Sequence, residues 1–262
     1  MPKHGGQAGE GKAKVSGQSR LYKLLAKDYP SPDELRELLA GIALGVLAKR
    51  YLHSGLPHVF ADCPHKYVAF CESAAKLFGA RARDVAIMGS ARFGFSIAPD
   101  SFGKALSGAS DADVMVIAPA LYEDEVSEFA ARVAEALEHF GSAWKLADDQ
   151  EVKLEAGIVS ELRGRALAIR FGFLDPSRLP DRDPRKQDLF DKMEEAGTQL
   201  LGTAPPGPVS KVGVRVFRDW EAAERNVEHS LRTLANRLGL KVPIAPTELG
   251  EQEALAAVSP SA

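Results

Sequence analysis

Apolar side chains recur at helical spacing in the first third of the chain. Ser31-Pro32-Asp33-Glu34 resembles a helix start, because serine caps backbone N–H groups, proline fits the first turn and acids oppose the positive end of the helix dipole. The apolar positions that follow predict one helix that ends near Ser54-Gly55-Leu56-Pro57. A second helix is predicted from about His65 to Phe78, with Gly79 as its C-cap.

Short apolar runs between polar turns predict strands. Val85–Met88 and Val114–Ile117 are such runs, and a loop rich in glycine, serine and proline separates them. Val212–Phe217 alternates and predicts another strand. We also expect strands around Val152–Val159 and Ala166–Phe173.

Three further amphipathic segments predict helices. They cover Leu121–Phe140, about Gln187–Leu201, and Trp220–Leu238. Strands and helices are mixed without regular βαβ alternation, which favours an α+β fold over a doubly wound sheet.

The chain divides into four predicted regions. Residues 1–20 are expected to be a disordered basic arm, 21–82 a helical N-terminal segment, 83–242 the core, and 243–262 a flexible tail. The first 27 residues contain six lysine and arginine residues against one glutamate, so the rest of the chain is more acidic than the total of −3. We interpret the arm, residues 1–20, as a solubilising tail, because it has no phenylalanine, tyrosine or tryptophan to stack on bases; contact with nucleic acid is the alternative.

Composition excludes several classes of protein. The chain has 262 residues, 45% hydrophobic and 26% charged, which is typical of a folded protein with a core and not of a collagen-like or wholly disordered chain. No apolar run approaches the ~20 residues of a membrane helix, and we expect no membrane contact. The only cysteines, Cys63 and Cys71, favour a reducing compartment, and we expect a cytoplasmic protein.

The residues with candidate chemistry lie between the first two predicted strands. Asp111 and Asp113 begin the second strand and, being two residues apart, point to the same side. Two adjacent carboxylates suit a hard divalent cation such as Mg²⁺ or Mn²⁺. Gly89-Ser90, at the end of the first strand, offers backbone N–H groups and a hydroxyl to a phosphate. The combination is typical of phosphoryl transfer.

This pattern resembles the DNA polymerase β-like nucleotidyltransferase superfamily, and is similar to a group of uncharacterised bacterial proteins within it. The resemblance rests on residues 89–96 and on Ser110-Asp111-Ala112-Asp113-Val114, and covers about residues 57–121. It implies a palm-like mixed sheet with flanking helices. It also implies that Asp111 and Asp113 are catalytic metal ligands, and that Gly89, Ser90 and Ser110 lie in the nucleotide site. Arg92 lies in the same loop and is a candidate for the triphosphate tail, with an ordinary surface arginine as the alternative.

Two features depart from the superfamily. The loop between the motifs is long, so that Phe95–Ala109 is an insertion at the mouth of the site, either a specificity loop or a cover. The superfamily's third carboxylate is not evident, and Glu155, Asp175 and Asp219 remain open as candidates. We interpret Arg215 and Arg218 as solvated residues at a strand end.

The resemblance implies a metal-dependent nucleotidyltransferase that moves a nucleoside monophosphate from a nucleoside triphosphate, ATP being expected, to a hydroxyl of RNA, a protein or a small molecule. The alternative is a weakly active or inactive protein of the same fold, which senses a nucleotide or acts as the partner of a toxin or defence protein.

Overall fold

The structure is a computed structural model, and it describes residues 18–108, 110–143, 162–176, 179, 183–203 and 211–243. Its helices are α1 (18–25), α2 (Pro32–Gly41), α3 (Leu44–His53), α4 (Pro64–Phe78), α5 (Ser90–Phe93), α6 (Pro119–Ala143), α7 (162–170), α8 (Pro184–Thr203) and α9 (Trp220–Arg237). Its strands are β1 (Val85–Met88), β2 (Asp111–Ile117), β3 (Phe173–Leu174) and β4 (Lys211–Phe217).

The described strands form one mixed sheet in the order β1-β2-β4-β3. β1 runs antiparallel to β2, and β3 runs antiparallel to β4. The two central strands, β2 and β4, are parallel, with Asp111 opposite Lys211 and Ile117 opposite Phe217. The expected α+β class with a mixed sheet is therefore confirmed.

Each face of the sheet packs on its own group of helices. Met115 and Phe217 face a cluster built from leucines of α2, α3 and α9. Val114 and Val214 face the opposite way, into a cluster that includes residues of α4 and α8. Because side chains alternate along a strand, the odd-numbered residues of β2 and β4, Asp111 and Asp113 included, share the face covered by α9.

The first predicted helix is two helices in the structure. α2 ends at Gly41, Ile42 and Ala43 are extended, and α3 begins at Leu44. Glycine is a poor helix former, and this one lies against Leu21, where a Cβ would come 2.6 Å from the leucine Cδ1. The break allows both short helices to bury leucines in the cluster shared with α9. At the start of α2 the predicted cap is confirmed, with reciprocal bonds between Ser31 and Glu34.

The prediction of a strand over Ala166–Phe173 is wrong. Residues 162–170 are helical, and the strand is limited to Phe173–Leu174. Tertiary contacts explain the helix: Arg165 is buried and ion-paired to Glu125 of α6 at 2.9 Å, and the Tyr122 hydroxyl donates to the Ile169 carbonyl at 2.7 Å. The strand expected around Val152–Val159 lies outside the described residues.

The other predicted elements are confirmed, with shifted ends. α4 matches its predicted span to within one residue, and α9 ends one residue early. β2 starts three residues before the apolar run, at Asp111, so both acids belong to the strand. Among the described helices, none combines the length and apolar character needed to cross a membrane.

Candidate active site

The two aspartates and the Gly-Ser turn meet at one end of the sheet. β1 pairs with β2 so that Met88, the last residue of β1, lies opposite Asp113. The chain therefore leaves β1 at Gly89 directly beside the acidic start of β2. Asp111 is exposed and Asp113 is half-buried, which gives a ligand access to both carboxylates.

Gly89 allows the carboxylate of Asp113 to lie against the main chain. Its φ of +67° and ψ of −149° fall in a region that is essentially restricted to glycine. A Cβ at this position would come 2.3 Å from Oδ2 of Asp113. The turn and the carboxylate thus form one compact unit.

The two candidate serines have different surroundings. Ser90 begins α5 and donates its hydroxyl hydrogen bond to the Asp111 carbonyl at 3.0 Å, which ties the Gly-Ser turn to the start of β2. Ser110 closes a turn, where its hydroxyl accepts a hydrogen bond from the Ser107 N–H at 2.9 Å. Ser90 lines the cleft described next, and Ser110 is absent from the lining of the described clefts.

A cleft of about 450 Å³ opens between the sheet, α9 and the inserted loop. Its volume is in the range of small-molecule sites, roughly 300–1,000 Å³. The sheet end supplies Met88, Gly89, Ser90, Asp111, Asp113, Met115 and Arg215; the loop supplies Ser96, Ile97, Ala98 and Pro99; α9 supplies Asn226, Val227, His229, Ser230 and Thr233.

The insertion forms a wall of this cleft. Phe95 bridges to Ala105, and the Ser96 N–H donates to the Lys104 carbonyl at 2.8 Å, so the loop closes on itself as a hairpin. Phe95 is buried and its ring contacts Phe102, which anchors the hairpin in the core shared with α9.

The pKa of Asp113 is shifted from its ordinary value. Burial raises the pKa of Asp113 above its ordinary value and the neighbouring Asp111 adds to the rise, whereas the positive charge of Arg215 opposes it. Arg215 lies on β4 opposite Met115, one strand from the aspartates and on the same face. The interpretation of Arg215 as a solvated edge residue is therefore wrong: it is a half-buried cation that lines the cleft.

In the described part of the chain, no candidate for a third carboxylate lies beside Asp111 and Asp113. Asp219 caps α9 through the Ala222 N–H at 2.7 Å. It follows the far end of β4, and at roughly 3.3 Å per residue it lies about 20 Å from the level of Asp113. Asp175 follows β3, two strands from β2, and lines none of the described clefts. Glu155 lies outside the described residues.

No group of three or more histidine, cysteine, aspartate or glutamate side chains suited to a metal ion is found among the described residues. The pair still fits magnesium, which is commonly bound by one or two carboxylates together with substrate phosphates. Asp111 and Asp113 are the residues that would hold it.

Arg92 has an internal role in the structure. It is 1% exposed, and its guanidinium donates to the carbonyls of Tyr51 at 3.0 Å, Ser54 at 2.8 Å and Leu56. The expectation that Arg92 reaches a triphosphate tail is wrong for this geometry, because its donors bind carbonyls in the last turn of α3 and in the segment after it, and Arg92 does not line the cleft.

Comparison with protein-family models, with curated proteins and with solved structures gave no match for this chain.

Proposed function

We propose that this protein is a metal-dependent nucleotidyltransferase, which transfers a nucleoside monophosphate from a nucleoside triphosphate to a hydroxyl acceptor. The observation that carries the proposal is the close approach of Asp113 to the Gly89 main chain, in a cleft that Asp111 also lines. A glycine turn that admits phosphate and two carboxylates that can hold a cation are then parts of one surface.

Each side chain has a defined task in this proposal. Asp111 and Asp113 would hold Mg²⁺ or Mn²⁺, and the cation would offset the negative charge of the phosphates. Gly89 and Ser90 hold the β- and γ-phosphates by backbone N–H groups, while the Ser90 hydroxyl keeps its hydrogen bond to the Asp111 carbonyl and so fixes the turn. Arg215 attracts the triphosphate electrostatically from the neighbouring strand.

The reaction is a displacement at the α-phosphorus. The oxygen of the acceptor hydroxyl forms a bond to that phosphorus, the bond to the bridging oxygen breaks, and pyrophosphate leaves with the electron pair. The hydroxyl proton passes to water. The protein contributes mainly by positioning the phosphates and by preorganised charge.

A second cleft provides a route for the acceptor. It measures about 600 Å³, lies between α8 and the start of β2 and β4, and is also bordered by Asp111 and Asp113. An acceptor in this cleft and a nucleotide in the first would approach the aspartates from different sides, which in-line attack requires.

The second candidate is a protein of the same kind that binds a nucleotide without transferring it, as a sensor or as a partner of another protein. Arg215 favours this alternative, because a cation lies next to the two aspartates and no third acid joins them among the described residues. Two functions therefore share one site, and they differ in whether an acceptor is modified.

The experiment that separates them is incubation with each α-labelled nucleoside triphosphate, Mg²⁺ or Mn²⁺, and total cellular RNA and protein. Transfer of label by the wild type and its loss in Asp111→Asn/Asp113→Asn would support the transferase and identify the acceptor class. Asp124→Asn, an exposed aspartate on α6, is the matched control. Nucleotide binding without transfer would support the sensor, and absence of both would reject the site. Glu155→Gln tests the remaining candidate acid in the same assay.

A further inference from the structure

The part of the cleft lined by α9 differs in its side chains from the part lined by the sheet. Its charged lining residues, Asp111, Asp113 and Arg215, all belong to the sheet. The helical wall presents Asn226, Ser230 and Thr233, together with His229. Asn226, Ser230 and Thr233 are spaced by four and three residues, so they form one stripe along α9. Apart from Val227 this wall is polar, and it contains no lysine, arginine, aspartate or glutamate.

The wall formed by the hairpin is mainly apolar and is anchored in the core. Ile97, Ala98 and Pro99 line the cleft from the hairpin, whose Phe95 is buried in the core. The cleft between hairpin and helix therefore combines apolar surface on one side with hydrogen-bonding groups on the other. A nucleobase has the same combination, since its faces are apolar and its edges carry donors and acceptors.

Asn226 has an unsatisfied group at this wall. Its Oδ1 is buried and has no hydrogen-bond partner in the described part of the chain. A buried polar atom without a partner costs about 1–3 kcal/mol, so such atoms are rare unless they have a role. Rotation of the side-chain amide exchanges its oxygen and nitrogen, so Asn226 can offer an acceptor or a donor to a ligand.

We propose that the α9 wall of the cleft, with Asn226 at its centre, is the subsite for the nucleoside part of the triphosphate. The inference rests on the proposed function, because the aspartate end of the cleft must take the phosphates. Asn226 then hydrogen-bonds the edge of the base, while Ile97–Pro99 cover its face. A phosphate does not suit this wall, because no lysine or arginine of the cleft lining lies on α9.

The test compares a nucleotide with a ligand that has phosphates alone. Affinities of wild type, Asn226→Ala and Asn236→Ala for the four nucleoside triphosphates and for inorganic tripolyphosphate are measured by calorimetry with Mg²⁺. Asn236 is an exposed asparagine of the same helix, outside the cleft, so its variant has the same change in helix propensity. Thermal melts verify folding, and Ser230→Ala replaces Asn226→Ala if the latter does not fold.

We expect wild type to bind at least one nucleoside triphosphate about tenfold or more tightly than tripolyphosphate. Asn226→Ala should weaken nucleotide binding about three- to tenfold, the effect of one hydrogen bond, and leave tripolyphosphate binding unchanged. Equal weakening of both ligands, or unchanged nucleotide binding, would overturn the nucleoside subsite while the phosphate site stands. If wild type binds neither ligand, the proposed function itself is rejected.

Discussion

The carboxylate of Asp113 lies against the main chain of Gly89. It occupies the space that a side chain at position 89 would fill, since a Cβ there would come 2.3 Å from Oδ2 of Asp113. This contact joins the first residue of the Gly-Ser motif to the second acid of the Asp-x-Asp motif. The two motifs are therefore one structural unit, and a change in the glycine acts on the aspartate.

Replacement of Gly89 by alanine tests that contact. Gly89→Ala should lower the free energy of unfolding by at least about 3 kcal/mol, because backbone strain adds to the clash with Asp113, and it should abolish binding of Mg²⁺-nucleotide. Gly79→Ala is the control: Gly79 also has positive φ, at +64°, but a Cβ there would meet no atom within 4 Å. Its cost should be about 1–2 kcal/mol from strain alone. The contact itself is tested by Gly89→Ala in an Asp113→Ala background: if urea unfolding gives the same cost there as in wild type, the contact is contradicted.

The half-buried carboxyl of Asp113 makes the stability of the fold depend on pH. Because burial raises the pKa of Asp113 above its ordinary value of 3.8, the charged form is disfavoured in the folded state. The protonated carboxyl of Asp113 therefore contributes fully to the free energy of unfolding at low pH. This contribution is lost as the pH rises through the pKa of Asp113 in the folded state. Without divalent cations, Asp113→Asn should therefore be more stable than wild type at pH 7, and the difference should vanish below about pH 4. Chemical denaturation from pH 3 to 8 measures this, and a variant that is less stable than wild type at pH 7 would refute it.

Arg215 should have opposite effects on the two ligands of the cleft. Its removal in Arg215→Ala deletes a cation beside Asp113, so Mn²⁺ alone should bind about threefold more tightly, while nucleoside triphosphate should bind about tenfold or more weakly. Spin-resonance titration of free Mn²⁺ and calorimetry measure the two affinities. Arg218→Ala is the control, because Arg218 is exposed and ion-paired to Asp219 past the far end of β4. Affinities that change in the same direction would exclude the proposed role.

Arg92 should affect stability and not binding. Arg92→Lys removes hydrogen bonds to carbonyls that remain buried, and should lower the free energy of unfolding by about 2–4 kcal/mol. Arg83→Lys, at an exposed position, should be neutral. Nucleotide affinity at a temperature where both variants are folded should match wild type. A selective loss of nucleotide affinity in Arg92→Lys would return this residue to the site.

Local patterns were sufficient for many elements, and their failures have physical causes. The capping residues at Ser31 and the periodicity of α9 predicted those helices because the signals lie within each segment. The pattern over Ala166–Phe173 did not predict its helix, because the helix is packed on α6 through Arg165 and Glu125, forty residues apart. The division of the first helix into α2 and α3 lies at Gly41, which contacts Leu21 of α1, a residue distant in the sequence.

For the candidate site too, some features follow from local sequence and others only from tertiary contacts. The sequence by itself determined that Gly89-Ser90 follows one strand and that the two aspartates begin the next, because both lie beside short apolar runs. The antiparallel pairing of β1 with β2 in the structure brings them together. Only the tertiary structure decided that Arg215 faces the aspartates, that Arg92 is internal and that Asn226 completes the cleft. These placements depend on the parallel register of β2 with β4, and on helices that pack across long sequence separations. Such contacts are set by the burial of apolar surface over the whole core, which no local pattern records.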